Sequence, residues 1–327
     1  MTPLFFNLIC PHHKTPLEWV PETASYVCET GCNFETKNQI PRFVGPENYA
    51  ESFGLQWNQF RLTQLDSFTG LSISRDRLTR IAGGSLDIFR DQTVLEAGCG
   101  AGRFTEILLQ SHARVLAVDL STAVEANYAN CHQYENYSVI QADLACLPVA
   151  PSQFDVVLCI GVIQHTPCPE NTIAALCGYV KPGGLLLIDH YSRDYPLTGL
   201  RRFLRHYLIK TSPSFSIGFC RLLVAVLWPI HRSLWRFRSN RYVNKLRQGF
   251  VIWSPVVDYQ LPYAELGNEL LYAWAMLDTH DTLTDHYKHL RSAEEIEMTL
   301  QSMGMEKIET IEGGNGVEAR ACKPMKT

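Results

Sequence analysis

Three alternate glycines sit directly behind an apolar run and ahead of a helical one, in Val94-Leu95-Glu96-Ala97-Gly98-Cys99-Gly100-Ala101-Gly102-Arg103-Phe104. Glycine lets a backbone turn sharply and come close to a ligand, and the helix N-terminus that follows favours an anionic group. Such a turn belongs to sheets of parallel strands with crossover helices. The neighbouring sequence agrees. Apolar runs at 93–96, 114–119, 137–140, 154–160 and 185–189 alternate with helical stretches near 102–111, 121–132 and 169–180. Runs apolar on both faces suit buried parallel strands. A last helix from Ser292 to Met303 opens on a capping-box spacing, Ser292 to Glu295, and Gly304 ends it. Closing strands follow at 307–311 and 317–322. The fold class is α/β, a Rossmann-like sheet of seven strands.

The spacing separates two cofactor classes. A dinucleotide fingerprint wants its third glycine at position 103, where this chain has Arg103. That argues against a nicotinamide oxidoreductase. Asp119 ends the second strand, about 20 residues on, where a carboxylate can bond two ribose hydroxyls. Gln141-Ala142-Asp143-Leu144 ends the third strand, Phe154-Asp155-Val156-Val157 begins the fourth, and Lys181-Pro182-Gly183-Gly184 precedes the fifth.

In order and spacing, this series over residues 91–190 resembles the class I methyltransferases that use S-adenosylmethionine (SAM). The resemblance implies that Glu96 and the turn from Gly98 through Gly100 to Gly102 hold the methionine part. It implies that Asp119 holds the ribose, Leu120 packs on adenine, and Asp143 and Leu144 hold the adenine edge. Gly161 to His165 would then face the transferring methyl. A methyl acceptor losing a proton is helped by a base, and His165 is the first candidate, with His190 after the fifth strand as the second. An alternative function is a SAM-binding or membrane-surface adaptor without catalysis.

Residues 1–46 carry two metal-ligand pairs, Cys10-Pro11-His12-His13 and Cys28-Glu29-Thr30-Gly31-Cys32. Zinc takes four nitrogen or sulfur ligands from two turns, so Cys10, His13, Cys28 and Cys32 form the candidate set, with His12 as the alternative to His13. The segment resembles the zinc-ribbon modules ahead of some methyltransferase domains, with His and Cys in exchanged places. This implies one structural zinc. Residues 47–90 are helical and aromatic, and resemble a lid ahead of the core at 91–190. Tyr49, Phe53 and Trp57 share one helix face there.

Residues 191–290 form a helical cap or insertion, and 291–327 complete the core. No acidic residue lies between Asp194 and Asp258, a stretch that holds 11 Lys and Arg; the remainder has 18 basic against 33 acidic residues. Aromatic and leucine residues interleave with these cations. Such helices can rest on an anionic membrane, with residues 195–257 as the contact, or meet a phosphorylated or lipid-linked substrate. Nucleic acid is an unlikely partner because the remaining surface is acidic. The segment Leu271-Tyr272-Ala273-Trp274-Ala275-Met276-Leu277-Asp278-Thr279-His280-Asp281, then His286-Tyr287-Lys288-His289, together with the lid and the tail Gly313-Gly314-Asn315-Gly316-Val317, resembles bacterial methyltransferases of surface-glycan and secondary-metabolite gene sets, which implies a glycan or small-molecule acceptor. The N-terminus lacks the basic and apolar regions of a signal peptide, and the 11 cysteines are scattered. The expected location is the cytoplasm, peripheral to the membrane. The longest apolar stretch, Phe215 to Ile230, falls short of a spanning helix.

Overall fold

The computed structural model describes residues 6–45 and 48–325. The expectation about the extreme N-terminus falls partly outside them, and the boundary at 46/47 wholly so. The chain divides into two compact units. One comprises 1–48, 72–195 and 287–327; the other comprises 49–71 and 196–286.

In the first unit, β1 (Leu17–Val20), β2 (Ser25–Cys28), β3 (Asn33–Lys37) and β4 (Ile40–Pro41) form an antiparallel sheet in sequence order. The second unit takes α1 (Glu51–Gln59) and α2 (Asp66–Thr69). The first resumes with α3 (Ile73–Ile81), β5 (Thr93–Ala97), α4 (Thr105–Gln110), β6 (Arg114–Asp119), α5 (Ala123–Cys131), β7 (Tyr137–Gln141), β8 (Phe154–Cys159), α6 (Pro169–Tyr179) and β9 (Val180–Tyr191). The second unit adds α7 (Gly199–Leu208), α8 (Pro213–Arg236), α9 (Arg241–Trp253) and α10 (Gly267–Thr284). The first closes with α11 (Ala293–Ser302), β10 (Glu306–Gly313) and β11 (Gly316–Cys322).

The large sheet has the expected seven strands, in the order β10-β11-β9-β8-β5-β6-β7. β5 runs parallel to β6 and β8, and β8 to β9, while β11 is antiparallel to β9 and β10. Alternate residues feed two cores. Val94, Val115 and Val156 join one cluster, and Leu95, Leu116 and Val157 join the other. This two-sided burial is why the runs read as apolar without alternation. The capping box at Ser292 and Glu295 forms as spaced. The fifth strand is longer than its leucine run suggests: Lys181 to Gly184 lie inside β9, where pairing with β8 resumes at Val156 after an irregularity.

The small N-terminal sheet shares its core with the large one. Phe6, Leu8, Tyr26, Phe34 and Phe43 sit in the cluster that holds Leu95 and Ile140. The Phe43 amide donates to the Gln141 carbonyl at 2.8 Å, extending β7. The ion pair of Arg42 with Glu125 on α5 fastens the same edge, and Arg42 also donates to the Gln141 side chain at 3.0 Å.

Candidate active site and metal centre

Strand order reverses between β5 and β8: the chain goes from β5 to β6 and β7 on one side, and from β8 to β9 on the other. In open α/β sheets a ligand binds at the carboxyl ends of the strands flanking such a reversal. The glycine turn lies there. Gly98, Gly100 and Gly102 all have positive φ, at 82°, 48° and 98°. Gly98 is required for space as well, because a Cβ there would stand 2.2 Å from Cγ2 of Val162 in the loop after β8. Gly161 begins that loop with φ 77°, and a Cβ on it would point into open space.

Asp119 leaves β6 beside this turn. Its carboxylate accepts from the Gly100 amide at 3.0 Å and from the Ser121 amide and hydroxyl at 2.8 and 2.7 Å. Burial raises its pKa, and the Ser121 and Gly100 bonds oppose the rise. The Leu120 carbonyl accepts from Gln141 at 2.9 Å and from Asn48 at 3.2 Å, which holds the half-buried Leu120 at the rim. Asp143 is exposed and caps the short turn Leu144–Cys146 through the Ala145 amide, with Leu144 buried beneath it.

Glu96 is 2% exposed at the end of β5. One carboxyl oxygen accepts from the Thr105 hydroxyl at 2.5 Å, and Oε1 has no partner among the described residues. Burial, then the Asp119 charge, pushes its pKa up to about 8, against the Thr105 bonds. Thr105 in turn accepts from Asn127 at 2.9 Å, and Asn127 from the Tyr137 hydroxyl at 2.6 Å.

His165 ends a short turn after β8 and is 6% exposed. Its Nδ1 lies 3.1 Å from the Tyr287 carbonyl. A carbonyl only accepts, so Nδ1 carries the proton and the lone pair sits on Nε2. His190, in β9, has the same tautomer, with Nδ1 3.0 Å from the Tyr191 carbonyl. It is 1% exposed, and burial pushes its pKa down to about 4. Its Nε2 has no partner among the described residues. Beside His165, the buried Gln164 carboxamide lacks partners at both amide atoms among the described residues.

Three features here were not legible in the sequence. Asp189, also in β9, accepts from the Gly161 amide at 2.5 Å and pairs with Arg77 of α3, pinning the loop that carries Gln164 and His165. Arg77 also reaches Glu318 of β11 at 3.4 Å. An ion pair between residues over a hundred positions apart leaves no local pattern. Nor does the Gln164 amide. The third concerns Asp155 and Lys181, which belong to the motif series yet pair with each other at 2.7 Å at the opposite, amino ends of β5, β8 and β9. Asp155 accepts there from the Thr93 amide at 2.9 Å. These two residues brace the sheet away from the site.

In the N-terminal sheet, the ligand atoms of Cys10, His13, Cys28 and Cys32 lie within 4.8 Å of one another. The His13 Nδ1 is 3.6, 3.6 and 3.5 Å from the sulfurs of Cys10, Cys28 and Cys32. A tetrahedral zinc bound at about 2.3 Å to sulfur and about 2.05 Å to nitrogen needs sulfur–nitrogen spacings of about 3.5–3.6 Å. His12 points elsewhere and stacks on Phe34 at 6.1 Å. The Cys32 amide donates to the Cys28 sulfur at 3.3 Å, a bond that favours a thiolate.

Comparison with known proteins bears on the large sheet. Residues 95–188 match the family model described as a methyltransferase domain. The matched span runs from β5 into β9 and contains the glycine turn, Asp119 and His165. Curated relatives include ubiquinone biosynthesis O-methyltransferases of Azoarcus sp. strain BH72, 36% identical over 107 residues, which is 31% of this chain and 45% of that protein. Another is from Colwellia psychrerythraea, 32% identical over 130 residues, 38% of this chain and 52% of that protein. The chain spans about half the length of the curated relatives it matches. Among solved structures, magnesium protoporphyrin IX methyltransferase from Synechocystis PCC 6803 is 14% identical, covering 84% of this chain and 96% of that one at a TM-score of 0.45.

Proposed function

We propose that the protein is a SAM-dependent methyltransferase acting on a hydroxyl of a small molecule, either a glycan or a lipid-linked or phosphorylated compound. The observation that carries the reading is a convergence. The glycine turn follows β5 at the strand-order reversal, Gly98 packs against Val162 of the loop after β8, and Glu96 beside the turn is buried with Oε1 lacking a partner among the described residues. Buried polar groups without partners are rare in folded proteins, and a bound polar ligand accounts for them. The match of residues 95–188 to a methyltransferase-domain model supports SAM as that ligand. Relatives named O-methyltransferases favour an oxygen acceptor.

Glu96, with the backbone from Gly98 to Gly102, holds the methionine part of SAM, and its unused oxygen suits an ammonium group. Asp119 takes the ribose hydroxyls, Leu120 the adenine face, and Asp143 with Leu144 the adenine edge. Gly161 leaves room beside the reacting centre. When bound, SAM supplies an electrophilic methyl on sulfur. The protein's part is alignment and proton removal. With SAM bound, the His165 lone pair would take the acceptor hydroxyl proton while the methyl leaves sulfur for that oxygen and the thioether departs. His190, held neutral by burial, would accept a hydrogen bond from the acceptor or relay its proton. Cys10, His13, Cys28 and Cys32 hold one structural zinc that secures the small sheet against β7. The free thiols fit a reducing compartment such as the cytoplasm, and the basic segment 195–257 fits an acceptor held at an anionic membrane surface.

The test is transfer of isotope-labelled methyl from SAM to a panel of hydroxylated acceptors. We expect transfer by the wild type and a loss of about 10²–10⁴ in kcat for His165→Ala, with the KM for SAM unchanged. Equal kcat in the variant would remove His165 as the base. No transfer to any acceptor class, by protein that binds SAM, would favour the adaptor function.

A further inference from the structure

We infer that α7, α8 and α9 form a membrane-docking face that lies in the plane of an anionic lipid surface without crossing it. This deepens the reading of the basic segment and stands apart from methyl transfer. Thirteen of the eighteen exposed large hydrophobic side chains among the described residues fall between Leu200 and Leu261. They are ordered. At about 100° per residue, Phe215, Leu222, Val226 and Ile230 form one stripe along α8. The opposite side, with Cys220, Val224, Trp228 and His231, is buried. A helix at the surface of a globular protein normally shows polar residues on its open side, where α8 shows this apolar stripe. In α9, Tyr242, Leu246 and Trp253 make a similar stripe, 84%, 64% and 72% exposed. In α7, Phe203 and Tyr207 do the same at shorter length.

Charge selects the occupant. Eight cations are exposed along the same helices and the turns after them, including Arg202, Arg221, Arg232, Arg241 and Lys245, and none pairs with a carboxylate among the described residues. On the α8 wheel, Arg221, Arg232 and Arg236 lie to one side of the apolar stripe; on α9, Arg241 and Lys245 lie to one side of theirs. Apolar groups that enter the acyl boundary, bordered by cations at headgroup level, are the pattern of an interfacial helix. Each exposed cation near an anionic leaflet adds to the attraction within a Debye length.

Length alone permits another arrangement. α8 spans 24 residues, beyond the 16 counted from the sequence, and is long and apolar enough to cross a bilayer. Its inner face argues for the in-plane one. His231 is buried in a hydrogen-bond chain, with Nδ1 2.9 Å from Asp258 and Nε2 2.8 Å from the Ser254 hydroxyl. The Ser216 hydroxyl lies 3.4 Å from His280 of α10. A spanning helix would have to give up these contacts to its own unit.

Vesicle flotation of this 327-residue chain, purified without detergent, tests this with preformed vesicles of phosphatidylcholine alone or mixed with phosphatidylglycerol. The wild type is expected to float with the mixed vesicles, to stay behind with phosphatidylcholine, and to be released by high salt. Leu222→Ser combined with Val226→Ser and Trp253→Ser should cut partitioning at least tenfold, as should Arg232→Glu with Arg241→Glu. Both variants change exposed residues, and the circular dichroism spectrum of each should match the wild type. Failure to float with anionic vesicles would overturn the inference. So would protein that leaves cell membranes only with detergent, the mark of a spanning helix, or a stable dimer whose formation the serine variant abolishes.

Discussion

Stripping the metal with a chelator, or replacing Cys28 with Ser, is expected to lower the melting temperature by about 10 °C or more and to expose the β7 edge. The four ligand atoms already stand at zinc spacing. A bound metal in such a site contributes folding free energy directly. What it secures is larger than the ligand loop. Cys10 and Cys28 are both buried in the cluster that also contains Phe6, Phe34, Phe43, Leu95 and Ile140. The loss therefore reaches the sheet that carries the cofactor turn. A loss of several kcal/mol at about 2–4 °C per kcal/mol gives the stated shift. Thermal unfolding before and after chelation, with the zinc content measured by atomic absorption, reads it. Purified protein that holds no zinc and melts at the same temperature after chelation would remove the metal from the account.

Replacing Glu96 with Gln is expected to change how stability depends on pH. In the folded protein burial holds this carboxyl near pKa 8, against an ordinary value of 4.5. The folded state therefore binds a proton that the unfolded state has released between those two values. The stability belonging to the neutral form is fully present below about pH 4.5 and is lost as pH rises through about 8. At about 1.36 kcal/mol per pH unit the full effect is on the order of 5 kcal/mol. Gln stays neutral and keeps an oxygen for Thr105. Denaturant unfolding should show the variant close to wild type at pH 5 and more stable by several kcal/mol at pH 9. Parallel curves for the two proteins would mean that Glu96 is ionised when folded. The proposed cofactor role adds a consequence: an ammonium group beside Oε1 favours the carboxylate, so SAM binding near pH 7 should release a proton from wild type and not from the variant.

The sequence carried the parts of the structure that repeat or obey local rules. Parallel strands buried on both faces read directly as apolar runs, and the alternate glycines read as a turn because Gly98 and Gly102 need positive φ. The capping box at Ser292 was legible because its two partners are three residues apart. The cysteine and histidine pairs were legible because the members of each lie three or four residues apart. Contacts that join distant segments were not. Arg77 on Asp189, and the small sheet merging its core with β7, depend on tertiary packing that leaves no spacing to find. Residues 191–290 were readable as basic and apolar helices. Which side of each helix is open needed the structure, because α8 is apolar on both sides and a periodicity argument finds no boundary in it. Lys181 and Asp155 sit in a motif series, yet their ion pair at the amino ends of the strands is a brace.

The central claim is that the turn from Glu96 to Gly102, with Asp119, holds SAM. Calorimetric titration of zinc-replete protein with SAM and with NADH, on wild type and on Asp119→Ala, tests it most directly. Expected are micromolar SAM binding, no NADH binding, and loss of the SAM signal in a variant that keeps its circular dichroism spectrum. Folded protein that ignores SAM, or an Asp119→Ala variant that binds it unchanged, would contradict it.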